Sequence, residues 1–118
     1  MKNISHAATV ITVRDPERTA VYYQEKLRFD ITFQWEDPPS YVVLKKEDVV
    51  SIHLTKGDPS NYASSIYIFC HDVDAIYEEM VESGATITNS IGDREYHMRD
   101  FDVEDNNGFR LTFGTSLE

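Results

Sequence analysis

Hydrophobic and polar positions alternate in short runs along this chain, and the first run leads into a helical pattern. Residues 7–15 are rich in β-branched side chains, which favours a strand. Asp15-Pro16 follows, and it is typical of a helix start, because aspartate caps free N–H groups and proline is tolerated at the first helical position. Ala20, Tyr23 and Leu27 then recur at helical spacing, so we expect them to form the buried face of this helix.

The same order recurs about half a chain length later, which indicates an internal repeat. Residues 64–71 predict a second strand, and Asp72 is the expected cap of a second helix. Gly84 is expected to end that helix in the left-handed region. The apolar positions of the helix recur at i, i+3, i+4 and i+7, and they are Val73, Ile76, Tyr77 and Met80.

Three short strands are predicted after each helix. They are 30–36, 41–45 and 49–55 in the first half, and 86–89, 96–103 and 109–113 in the second half. Asn106-Asn107-Gly108 predicts a hairpin turn between the last two strands. The fold class is therefore α+β, built from two βαβββ modules in one domain over residues 1–118. Module 1 covers about 1–57, the linker about 58–63, and module 2 about 64–118.

The composition and charge narrow the classes of partner. The chain has 118 residues, 41% of them hydrophobic, which is enough for one domain with a core. Eleven basic against 21 acidic residues give a net charge of −10, which argues against nucleic acid or an anionic membrane as partner and permits a cationic ligand. Solubility alone is an equally good explanation of the acidity. Most of it lies after residue 60, and we expect the acidic stretch Asp93–Asp105 to be largely a solvated strand face.

The single cysteine and the absence of long apolar runs bear on the compartment. Cys70 excludes an intrachain disulfide, and its position at the end of a strand predicts a structural thiol rather than a nucleophile. No apolar run approaches the roughly 20 residues of a spanning helix, and the first residues lack an apolar signal core. We therefore expect a cytoplasmic protein.

Three segments in this order resemble the vicinal oxygen chelate superfamily, which includes glyoxalases, bleomycin-resistance proteins and extradiol dioxygenases. They are residues 13–27, residues 72–85 and residues 99–111, with Asn106 standing where proline is usual. The resemblance implies a mixed sheet curled around a cavity, with the helices outside. It also implies a homodimer.

The resemblance further implies four positions for the ligands of a divalent metal. They correspond here to Ala8, His53, Ser65 and Thr112. Only His53 is a common ligand type, and one imidazole does not hold a divalent ion against water. We therefore predict no metal in this site and no other cofactor. A stoichiometric nickel, zinc or manganese ion on His53 would refute this.

The candidate ligand-binding residues are mostly aromatic side chains of strands that would line the cavity. They are His53, Trp35, Phe33, Tyr67, Phe69 and Arg110. The plainer interpretations are His53 as a hydrogen-bonded wall residue and the aromatic residues as core or dimer packing, which we favour for Phe33 and Phe69. Trp35 lies just before a turn and is the candidate ligand flap. Arg110 with Arg99 could neutralise nearby carboxylates rather than hold an anion. His97 and Glu95 share strand parity as a possible acid–base pair, but nothing in the sequence orients them, so catalytic residues remain unknown.

These observations favour a small-molecule-binding protein of the bleomycin-resistance type. It would sequester a cationic or aromatic ligand, as in antibiotic resistance, and would do so without a metal. The alternative is a lyase, isomerase or oxygenase of glyoxalase or dioxygenase type with an atypical metal site, so enzymatic activity stays open. A third possibility is a domain that mediates protein contacts.

Overall fold

A computed structural model describes Asn3, residues 7–59 and residues 65–118 of the chain. Its elements, in chain order, are β1 (Thr9–Val13), α1 (Pro16–Lys26), β2 (Asp30–Trp35), β3 (Tyr41–Lys46), β4 (Val50–Lys56), β5 (Ser65–Phe69), α2 (Val73–Ser83), β6 (Thr86–Asp93), β7 (Met98–Glu104) and β8 (Arg110–Ser116). The order confirms the predicted α+β class with two βαβββ modules. The expected linker at 58–63 lies mostly outside the described residues. No helix in the described part of the chain is long and apolar enough to cross a bilayer.

The first compact unit contains β1 to β4 and most of α1. Its sheet has the order β1-β4-β3-β2, with β1 parallel to β4 and the remaining pairs antiparallel. Ile52 and Leu54 of β4 are fully buried, as are Val42 and Leu44 of β3, because alternate residues of a strand point to opposite faces. One face of this sheet therefore belongs to the core, and the other is open.

Helix α1 begins as its sequence predicts. The backbone N–H of Arg18 donates to Asp15 Oδ1 at 3.0 Å, which satisfies one of the free donors at the helix start. Ala20, Tyr23 and Leu27 are all buried, and the Tyr23 ring meets Phe29 edge to face at 5.4 Å. The predicted buried face is thus confirmed.

The second unit contains β5 to β8 and α2, and its sheet has the order β5-β8-β7-β6. Strands β5 and β8 are parallel, which repeats the topology of the first unit. Asp72 caps α2 by accepting from the N–H of Ala75 at 3.1 Å, and Gly84 ends it with a φ of 79°. Phe101 packs between Tyr77 and Phe113, with ring centroids 4.9 and 5.4 Å apart.

The β6–β7 hairpin differs from the prediction at both ends of its turn. Strand β6 continues to Asp93 instead of ending at Asn89, because two register shifts let it stay paired with β7. Strand β7 begins at Met98 rather than at residue 96. The N–H of Arg94 donates to Met98 O at 2.7 Å and closes a turn in which His97 has a φ of 65°. The shared strand parity expected for Glu95 and His97 is therefore wrong.

Candidate functional site

A one-residue bulge in β2 decides which side chains face the open side of the first unit. Ile31 pairs with Leu44, whereas Phe33 pairs with Val43, so Thr32 is an extra residue in the register. Leu44 is fully buried on the core face, and Val43 points to the opposite face. After the bulge, Phe33 and Trp35 therefore lie on the open face, although plain alternation would place them with Ile31.

These two aromatic residues line a groove with a volume of about 530 Å³. The residues around it are Phe33, Trp35, Ser40, Tyr41, Thr55 and Lys56, all from the first unit. Trp35 is 61% exposed and Phe33 is 50% exposed. The expectation that Phe33 packs in the core is therefore wrong for this chain, and the two rings form an accessible apolar wall.

His53 lies beside this groove, behind Tyr41. It pairs with Val43 on one side and with Val10 on the other, in the middle of the open sheet face. The Tyr41 hydroxyl and His53 Nδ1 are 2.6 Å apart, and the two rings meet edge to face with centroids 5.4 Å apart. Because Tyr41 also lines the groove, this hydrogen bond connects the predicted histidine to the aromatic wall.

Two more of the predicted residues, Tyr67 and Phe69, lie together on strand β5 of the second unit. Their ring centroids are 4.9 Å apart, and Phe69 is 76% exposed, so core packing of Phe69 is also wrong. Trp35 and Phe33 belong to the other unit. The expectation that all four aromatic residues form one cleft stays a prediction.

Tyr67 is held by a buried carboxylate. Asp100 of β7 is 1% exposed, and its Oδ2 accepts from Tyr67 at 2.9 Å and from Tyr96 at 2.8 Å. Its Oδ1 accepts from Arg94 Nε at 2.8 Å. The expectation of a solvated acidic face is therefore wrong at Asp100, because hydrogen-bond donors from three places in the chain replace its water.

The ionisation of this cluster follows from its contacts. Burial alone would raise the pKa of Asp100, but the hydrogen bonds from Arg94, Tyr96 and Tyr67 outweigh it and hold the pKa below its ordinary value. Burial and the hydrogen bond to Asp100 raise the pKa of Tyr67 well above its ordinary value. At neutral pH the cluster consists of a charged carboxylate, a charged guanidinium and two neutral phenols.

The arginines do not form a joint anion site. Arg99 pairs with Thr115 along β8, whereas Arg110 pairs with Glu104 at the other end of the two strands. Arg99 binds Asp74 at 2.8 Å and Asp93 at 3.0 Å, so it neutralises carboxylates. Arg110 is exposed and donates to Ser65 Oγ at 3.4 Å. Its role as a ligand-binding residue stays a prediction.

Tyr41 and Asp100 are the two residues of these sites that were not among the predicted ones. The short turn between Lys46 and Val50 sets the β3–β4 register, so counting back from it places Tyr41 diagonal to His53. No comparable count was possible for Asp100, because its donors come from β5, from the β6–β7 turn and from the residue that closes this turn. Cys70 is half-buried just after β5, in agreement with a structural thiol.

The residues at the four implied metal positions do not fit a divalent ion. Ala8 has no donor atom, and Tyr41 occupies Nδ1 of His53. The Thr112 hydroxyl donates to Asp102 at 2.6 Å, and Ser65 Oγ accepts from Arg110. In residues 7–59 and 65–118, no three His, Cys, Asp or Glu side chains are grouped closely enough to hold an ion. This donor chemistry supports the prediction of no metal, which stays a prediction.

The chain was compared with known families, curated proteins and solved structures. The model of the Glyoxalase/Bleomycin resistance protein/Dioxygenase superfamily matches residues 3–113. No curated protein matches the chain. Among solved structures, TioX from Micromonospora sp. ML1 is similar, with a TM-score of 0.83 and 18% identity over 96% of this chain and 99% of TioX.

Two further structures show the same fold. A glyoxalase/bleomycin resistance protein/dioxygenase from Alicyclobacillus acidocaldarius has a TM-score of 0.81 and 17% identity, over 100% of this chain and 96% of its own. A member of the superfamily from Sphaerobacter thermophilus DSM 20745 has a TM-score of 0.76 and 19% identity, over 97% and 98%. At such identities the likeness concerns the fold, and the family model adds the membership. The chain therefore belongs to the glyoxalase/bleomycin resistance protein/dioxygenase superfamily.

Proposed function

We propose that this protein binds a small, partly aromatic molecule in the groove of its first unit and sequesters it without a metal. The observation that carries the proposal is the exposed wall of Phe33 and Trp35, with Tyr41 beside it. The groove volume of about 530 Å³ lies within the range of small-molecule sites. The donor set at the implied metal positions supports a binding role over metal-assisted catalysis.

The physical basis of binding is the surface that the groove leaves in water. Covering a large aromatic side chain with another ring is favourable because apolar surface leaves water. A stacked or edge-on aromatic pair adds roughly 0.5–1.5 kcal/mol to this burial term. Phe33 and Trp35 lie two residues apart on one strand, so a planar ligand can contact both rings. A planar ring system is therefore the ligand part that the groove favours.

The proposed positive charge of the ligand rests on long-range electrostatic attraction. Lys56 is the one charged side chain among the groove residues, and the negative charge that favours a cation is the −10 of the whole chain, most of which lies after residue 60. Negative potential raises the local concentration of cations, and the faces of Trp and Tyr attract them at contact. We therefore propose a cationic ligand, and we extend the proposal to a homodimer of this chain.

The test uses two planar tricyclic probes of similar size and opposite charge. Proflavine is the cationic probe, and anthracene-9-carboxylate is the anionic one. We expect isothermal titration calorimetry to show tighter binding of proflavine than of the anionic probe. A fluorescence titration should show that proflavine quenches Trp35, the single tryptophan of the chain. Rising salt should weaken proflavine binding, because the long-range attraction is screened.

Substitutions in and away from the groove test whether the probe binds there or elsewhere on the surface. Phe33→Ala should weaken binding by roughly five- to twenty-fold, as expected for the loss of one aromatic contact. Val21→Ala, an exposed position on helix α1, is the control and should leave affinity unchanged. Equal affinities of the Phe33→Ala variant and the wild type would refute the groove as the site. Stronger binding of the anionic probe would refute only the proposed positive charge of the ligand and would leave the groove standing as the site.

A further inference from the structure

The hydrogen bond between Tyr41 and His53 has a consequence for ligand recognition. Only one of the two groups can donate to the other. A phenol hydroxyl is the better donor, and the unprotonated nitrogen of a neutral imidazole is a strong acceptor. The separation of 2.6 Å is short for an N–H donor and typical of an O–H donor. Tyr41 therefore fixes the proton of neutral His53 on Nε2, since the bond at one ring nitrogen sets the other.

Nε2 of His53 is left without a protein partner. Tyr41 is the only hydrogen-bonding partner of His53 within the described ranges. Nε2 also keeps contact with solvent, because Ser51 Oγ is the one fully buried, unpartnered side-chain nitrogen or oxygen that the described residues contain. In the sheet, His53 pairs with Val10 of β1 and Val43 of β3, so its neighbours on both sides are apolar.

Ser51 supplies a second unpartnered group on the same strand. It is 8% exposed, and its hydroxyl has no hydrogen-bond partner, which costs free energy unless a ligand or water provides one. Ser51 and His53 are two residues apart on β4, so they share the open face. The Ser51 hydroxyl is covered, so the accessible polar group of this pair is the N–H at His53 Nε2, and Lys45 of β3 pairs with Ser51 beside it.

We propose that the ligand carries a carboxamide on its aromatic ring, with the carbonyl oxygen accepting from His53 Nε2–H. The inference rests on the proposed function and deepens it, since it adds a polar group to the aromatic one. Tyr41 is a positioning residue, because its hydroxyl acts on the ligand only through the histidine tautomer.

The first arm of the experiment needs no ligand. Long-range ¹H–¹⁵N spectra of the ¹⁵N-labelled protein, recorded where histidine is neutral, report which ring nitrogen carries the proton. His53→Gln assigns the signals. We expect Nε2 to be protonated in the wild type and a mixture of tautomers in Tyr41→Phe. Tyr22→Phe, which removes a tyrosine hydroxyl from helix α1 instead, is the control and should keep the wild-type tautomer. A protonated Nδ1 in the wild type, or an unchanged tautomer in Tyr41→Phe, would overturn the assignment.

The second arm compares 2-naphthamide with 2-methylnaphthalene, which keeps the rings and lacks the amide. We expect the amide to bind roughly five- to ten-fold more tightly, and His53→Leu to bring the ratio towards one. Ser51→Ala, at a covered hydroxyl on the same strand, is the control and should leave the ratio unchanged. Equal binding of both probes to the wild type would overturn the carboxamide and leave aromatic binding standing. If neither probe binds the wild type, the proposed function itself is wrong and this inference falls with it.

Discussion

At the scale of single residues, the most unusual group in this protein is the carboxylate of Asp100. It is 1% exposed and negatively charged, a combination that is costly unless hydrogen-bond donors replace the water at both of its oxygens. Tyr67, Tyr96 and Arg94 supply those donors, at 2.8–2.9 Å. The carboxylate thereby fixes two exposed aromatic side chains on the face of the second unit.

Asp100→Asn keeps the shape of this group and removes its charge. We expect it to lower the free energy of unfolding at pH 7 by about 2 kcal/mol, because the half-buried Arg94 guanidinium loses its counter-charge and the two phenols lose a charged acceptor. Urea denaturation measures the change. Asp93→Asn is the matched control, since Asp93 is 61% exposed and its ion pair with Arg99 should contribute less than about 1 kcal/mol.

The pH dependence of this effect has a definite sign. The pKa of Asp100 is lower in the folded protein than its ordinary value, so its contribution is complete above that ordinary value of about 4. It is lost as the pH falls through the lowered value, where the folded carboxylate takes up a proton. The difference between wild type and Asp100→Asn should therefore shrink at acid pH. A difference that stays constant would contradict a charged Asp100.

At the scale of elements, a bulge in the first unit and a glycine in the second determine where the exposed aromatic side chains lie. The bulge at Thr32 turns Phe33 and Trp35 towards the groove. In the other unit, Gly114 of β8 lies beneath Tyr67. A Cβ atom at this position would overlap the Tyr67 hydroxyl and come within 2.9 Å of Asp100 Cβ. The glycine is thus required by close packing over the strand.

Gly114→Ala should destabilise the protein by roughly 1–3 kcal/mol, because the added methyl group displaces Tyr67 from Asp100. Thr88→Ala, at an exposed position on β6 of the same sheet, is the control and should change stability little. In the Tyr67→Ala background the cost of Gly114→Ala should fall by about 1 kcal/mol or more. Additive effects of the two substitutions in denaturation experiments would contradict this packing argument.

At the scale of the whole molecule, exposed apolar side chains support the proposed homodimer. Val10 is 58% exposed and Phe69 is 76% exposed, both on open sheet faces. Large apolar side chains exposed on a sheet face are candidates for burial in a ligand or protein interface. The net charge of −10 opposes association at low salt, so the dimer should strengthen when salt screens that repulsion.

Sedimentation velocity tests this directly. We expect a species of about twice the 13.6 kDa chain mass at micromolar concentration. Phe69→Ser should shift the equilibrium towards monomer, whereas Val49→Ser, at a position 82% exposed in the β3–β4 turn, should not. A wild type that stays monomeric at all concentrations and salt levels would refute the dimer.

The features that could be predicted from the sequence are those set within a few residues of the chain. Asp15 and Asp72 cap helices because their acceptors reach N–H groups three residues on, and Gly84 ends α2 because it adopts positive φ without strain. The repeat of strand, helix and three strands follows from the same local signals. His53, Tyr67 and Phe69 were found because alternation shows which residues share a strand face, whereas Phe33 and Trp35 were proposed for their residue types.

The tertiary structure decided what depends on register and on distant partners. Alternation cannot reveal that Thr32 shifts the phase of β2, since a bulge exists only relative to the paired strand. The bond between Tyr41 and His53 needs two strands in register. The burial of Asp100 needs donors that lie up to 33 residues away in the chain. Local chemistry thus specified the elements, and their pairing specified which side chains meet.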